Sequence, residues 1–66
     1  MSEMKKNLVT AFTEMKDTIT NVEARLNKFV ENDNKSAGTD VRKAMQEIKM
    51  YAQNIRTLVQ DIKNAE

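Results

Sequence analysis

The sequence predicts an all-α fold, two long helices folded back on each other as an antiparallel hairpin. Three observations carry this prediction. The 66 residues include no Pro and a single Gly, and they are rich in Lys, Glu, Gln, Ala, Met and Leu, which are good helix formers. Apolar residues recur at alternating spacings of four and three in both halves, the period of a helix with one buried stripe. Between the halves lies the polar run ENDN, residues 31–34, and a connection this short makes two helices antiparallel neighbours.

The first helix is expected over about residues 2–31. Leu8, Phe12, Met15, Ile19, Val22, Leu26 and Phe29 follow one another at steps of 4, 3, 4, 3, 4 and 3. In heptad notation Phe12, Ile19 and Leu26 are a positions, and Leu8, Met15, Val22 and Phe29 are d positions, so the a and d columns form the expected seam. Ser2 is placed to cap the N-terminus, and Glu3 lies in the first turn, where an anion suits the helix dipole. The turn follows at about residues 31–34, where Asn and Asp suit a reversal or a cap.

The second helix is expected over about residues 35–64. Its a positions are Val41, Ile48, Ile55 and Ile62, and its d positions are Ala37, Ala44, Tyr51, Leu58 and Ala65. Met45, Ala52 and Val59 add an apolar column at e. A later start, with Thr39 as cap, would leave Gly38 in the loop. The heptad register favours the earlier start, because Ala37 already falls in the d column. Gly38 then lies inside a helix at a cost of about 1 kcal/mol, and it reads as a place where another backbone comes close. Met4 and Met50 fall outside the seam.

The whole chain is thus one small domain, residues 1–66. A core of this size rarely supplies more than about 3–5 kcal/mol without disulfides, metal or oligomerisation. The chain has no Cys and no His, which removes disulfides and the common metal ligands. Oligomerisation is what remains. The e columns, Met45, Ala52 and Val59 on the second helix with Val9 and Val30 on the first, would stay wet in a lone hairpin. A homodimer forming a four-helix bundle would cover them.

The polar columns of the second helix carry the functional signal. Its b positions are Lys35, Arg42, Lys49, Arg56 and Lys63, all basic, and Lys43 adds a cation at c. Its g positions are Asp33, Asp40, Glu47, Asn54 and Asp61, acidic at four of five. The apolar face therefore lies between an acidic edge and a basic edge. Such edges commonly pair with a neighbouring helix and set partner choice. A stripe of cations rising about 10.5 Å per heptad can also meet the sugar-phosphate backbone at several points without reading bases.

Other chemistry is disfavoured. Without His or Cys, no hydroxyl or amine is accompanied by a base that would make it a nucleophile. The stretch AGTDVRK lacks the GxxxxGK[ST] order of a phosphate loop. No catalytic site, cofactor, metal or small-molecule substrate is expected. Eleven cations against ten anions make a membrane-surface role unfavourable, and no apolar run approaches the roughly 20 residues that span a bilayer. The N-terminus does not read as a signal peptide. The chain is expected to be soluble and intracellular.

The run NKSAGTDVRKAMQEIKMYAQNIR, residues 34–56, resembles the small bacterial and phage histone H1-like proteins related to chlamydial Hc1. That family carries a segment of the form NKAAGTRARKA followed by an amphipathic helix. Asn34, Lys35, Ala37, Gly38, Thr39, Arg42, Lys43 and Ala44 match it, and Ser36 is a near match. Asp40 stands where the family's pattern has a basic residue, and the lysine-rich tail of the chlamydial members has no counterpart here. The resemblance implies binding to double-stranded DNA and its compaction, in the nucleoid of a bacterial cytoplasm or in the host cytoplasm for a viral protein. Lys35, Arg42, Lys43, Lys49, Arg56 and Lys63 are the candidate contacts. The alternative is a helical oligomerisation or protein-binding module with no nucleic-acid role.

Overall fold

The computed structural model describes residues 2–65, which form two helices, α1 (Glu3–Asn32) and α2 (Lys35–Ala65). They pack side by side in one elongated body of 50 × 17 × 11 Å, so the all-α hairpin expected from the two apolar periods is the fold observed.

Local chemistry explains where each helix begins and ends. The Lys5 amide donates to Ser2 Oγ at 3.2 Å, which satisfies one of the donors left open in the first turn of α1. Asp33 follows α1 in the left-handed region, at φ 52° and ψ 35°, where a short polar side chain is tolerated and the helix cannot continue. Asn34 caps α2: its Oδ1 accepts from the Ala37 amide at 3.0 Å, and its carbonyl accepts from the Gly38 amide at 3.2 Å. The reversal thus takes only Asp33 and Asn34.

Gly38 lies inside α2, and the group that crowds it is a side chain rather than the backbone its position suggested. A Cβ added there would come within 2.7 Å of two ring carbons of Phe29. The aromatic ring at the end of α1 lies so close to α2 that a side chain at this position would force it to shift.

The inner face of α2 is the one the heptads indicate, with Val41, Ala44, Ile48, Tyr51, Ile55, Leu58 and Ile62 all partly withdrawn from solvent. The inner face of α1 is not. Its a residues Phe12, Ile19 and Leu26, expected in the seam, are 50%, 48% and 43% exposed. The residues turned inward are Met4, Leu8, Ala11, Met15, Thr18 and Val22, the d column joined by g rather than a. Met4 therefore belongs to the seam after all. Relative to an a/d seam the helix is turned by about 60°, given 100° per residue. The physical reason is size. Ala11 and Thr18 at g let two helices approach closely, whereas Phe12 and Ile19 would hold them apart. Among the described residues Ala11 is buried on α1 and Ala37 on α2, and no large side chain is fully buried.

Candidate nucleic-acid interface

The five b-column cations are spread along α2 from its first turn to its last. Lys35, Arg42, Lys49, Arg56 and Lys63 are all exposed, as is Lys43. The helix itself sets their alignment. Residues seven apart rise about 10.5 Å and drift roughly 20° around the axis, so the column forms a gently slanting edge about 42 Å long.

The surroundings of these cations differ along the edge. Lys35 and Arg42 border a hollow lined by Leu26, Phe29, Gly38, Thr39 and Val41, which brings the start of the basic column against the exposed apolar residues of α1. Arg42 also meets Lys43 at a second, more polar hollow with Thr39 and Gln46. Lys49 and Arg56 share a third with Ala52, Gln53, Thr57 and Gln60. Lys63 stands in the last turn of α2, where a cation also complements the negative end of the helix dipole. Lys43 lies around the helix from the b column and shares only the Arg42 end with it.

None of the five b-column cations makes an ion pair among the described residues. The acidic column lies on the opposite side of the hairpin. Asp40 and Glu47 border a hollow with Thr18, Asn21, Val22, Arg25 and Ala44. There Arg25 of α1 donates to an Asp40 carboxylate oxygen across the hairpin. Asp40, the residue that departs from the basic pattern of the resembled segment, is thus answered by an arginine from the other helix and does not face the basic edge.

The apolar residues Val9, Val30, Met45 and Val59 are 55%, 68%, 47% and 39% exposed, and Ala52 is exposed as well. Sequence reasoning missed their most prominent neighbours, Phe12, Ile19, Leu26 and Phe29. The signal was present in the small residues Ala11 and Thr18 at g, which mark where a partner helix can come close.

No helix of the described residues is long and apolar enough to cross a membrane. Among the same residues no group of three or more His, Cys, Asp or Glu side chains is placed to hold a metal ion. No curated protein and no solved structure matches the chain. The model of the family described as histone H1-like protein Hc1 matches residues 9–65, which takes in most of α1, the turn and all of α2, and the chain belongs to that family.

Proposed function

We propose that this protein is a small nucleoid-associated protein that binds double-stranded DNA without sequence preference through the basic edge of α2. The observation that carries the reading is the unbroken exposed column Lys35, Arg42, Lys49, Arg56 and Lys63, unpaired among the described residues, in a chain of the histone H1-like family. Lys43 extends the contact beside Arg42. Recognition is electrostatic. Phosphates are met at heptad intervals, and no side chain is placed to read base edges. The net charge of +1 makes the segregation of charge, rather than its total, the source of attraction.

Titration of duplex DNA at about 50 mM salt tests this. Binding in the tens of micromolar or tighter is expected. With all five cations on phosphates, log K should fall with log salt at a slope of about −4.5. Replacing Arg42 and Lys43 by Gln should weaken binding and flatten the slope by about one per lost contact, with helicity unchanged by circular dichroism. No binding at that salt would end this reading.

A second reading rests on the half-exposed apolar residues of α1. It holds that the hairpin serves as an oligomerisation or protein-binding module without nucleic acid. Failure of the DNA titration with an intact oligomer would favour it.

A further inference from the structure

The basic edge of α2 is not uniform along its length, and its first turns adjoin something the rest does not. Lys35 and Arg42 stand at the rim of a hollow lined by Leu26, Phe29, Gly38 and Val41. The lining is mostly apolar, yet it is open to solvent, with Leu26 and Phe29 at 43% and 44% exposure. Gly38 makes room for the ring. Two carbons of Phe29 would lie 2.7 Å from a Cβ at that position, so the glycine lets the ring settle against α2 at a level between the two cations. Thr39, also at the border, donates its hydroxyl to the Lys35 carbonyl at 3.3 Å, which leaves it no proton to offer a ligand. Farther along the edge, the hollow between Lys49 and Arg56 is lined by Ala52, Gln53, Thr57 and Gln60 and includes no aromatic ring.

We infer that the hollow at Leu26, Phe29, Gly38 and Val41 takes one unpaired base of the nucleic acid lying along the basic edge, with Lys35 and Arg42 on the phosphates either side of it. The inference rests on the DNA reading of that edge and adds to it a site for a base. An aromatic surface beside cations that track the backbone is the arrangement that holds a strand by the faces of its bases. Every base has such a face, so the contact tolerates any sequence. The stems of Lys35 and Arg42 leave α2 about 10.5 Å apart along the axis. Both side chains are long enough to close on the phosphates that flank a single nucleotide.

The chemistry of the lining decides that the base is unpaired. A base inside a duplex shows a protein only its edges, because its neighbours cover its faces. Leu26, Phe29 and Val41 match a face and offer an edge nothing to bond. The occupant is therefore out of the stack, as in a bulge, a mismatch or a single strand, where the cost of unstacking is least. Charge decides against a purely apolar occupant. An acyl chain or an aliphatic side chain would leave both rim cations unanswered, whereas a nucleotide within a strand brings a phosphate on each side.

Titration of the full chain with three short duplexes at about 50 mM salt tests this. One is fully paired, one carries a single bulged adenine, and one carries an abasic nucleotide bulged at the same place. The bulged adenine should bind at least about fivefold more tightly than the paired duplex. The abasic bulge should bind like the paired duplex, because it has the phosphates and the flexibility but no base. The gain should persist at about 150 mM salt, where phosphate contacts weaken for all three probes alike. Phe29→Leu should remove the gain, and Phe29→Tyr, which retains a ring, should keep it. Both variants should keep the helical circular dichroism and the affinity for the paired duplex. A paired duplex that binds with no gain for the bulged adenine overturns the inference and leaves the DNA reading standing. A gain shared by the abasic bulge overturns it too, as does one that Phe29→Leu retains. No binding of any probe overturns both readings. Were Phe29→Leu to lose helicity, the adenine and abasic bulges compared on the native chain still decide.

Discussion

Gly38 shows how a single position can answer to tertiary contact against its own local preference. In an exposed helix interior, Gly→Ala should stabilise by about 1 kcal/mol. Here the added Cβ would meet the Phe29 ring at 2.7 Å, so the ring must move for the methyl to fit. Gly38→Ala should therefore yield little or no gain in the native chain and about 1 kcal/mol in a Phe29→Ala background. Urea denaturation of the native chain, the two single variants and the double variant checks this, and equal gains in both backgrounds would mean that the contact is not felt. The Arg25–Asp40 pair is a different kind of residue effect. Both side chains are well exposed, at 54% and 37%, so the pair adds at most about 1 kcal/mol. Its value is in levelling the two helices and in keeping an anion on the side away from the basic edge.

At the scale of the helix, the seam depends on small residues. Among the described residues Ala11 and Ala37 are the two buried apolar residues, at 6% and 3% exposure, one on each helix of the seam. Ala11→Leu should force the helices apart and cost about 1–3 kcal/mol. The same change at Ala24, which is exposed on α1, should stay within about 0.5 kcal/mol. Thermal unfolding of the two variants measures the contrast. The seam also explains which parts of the helices were legible in the sequence. On α2 the a and d columns outnumber the e column in large apolar residues, and residues 41 to 62 of those columns are the ones partly withdrawn from solvent. On α1 the a and g columns compete for the place beside d. Size, not hydrophobicity, decides between them. A pattern that scores only apolarity chooses Phe12 and Ile19, whereas the packing chooses Ala11 and Thr18.

At the scale of the whole molecule, the missing core is the dominant fact. With no large side chain fully buried among the described residues, a lone hairpin of this length has little apolar burial to set against the entropy of ordering it. If a second copy completes the core, folding and association are linked. The midpoint of thermal unfolding should then rise with protein concentration between about 1 and 100 μM. A midpoint that does not move over that range would show a hairpin stable alone. The candidate DNA-binding edge has the opposite relation to packing. It needs no tertiary contact to form, because one helix aligns Lys35, Arg42, Lys49, Arg56 and Lys63 by its own pitch.

The two helices, the polar reversal between them, the basic and acidic columns of α2 and the family resemblance are legible in the order of residues alone, and the match over residues 9–65 bears out the resemblance. These follow from periodicity and local chemistry, and both are properties of neighbouring residues along one chain. The packing of α1 on α2 settles which side of α1 faces inward, that the Phe29 ring is what crowds Gly38, and that Asp40 is answered by Arg25. Each of these depends on how closely two helices can approach. That distance is set by side-chain volume at the seam, which residue spacing alone does not encode.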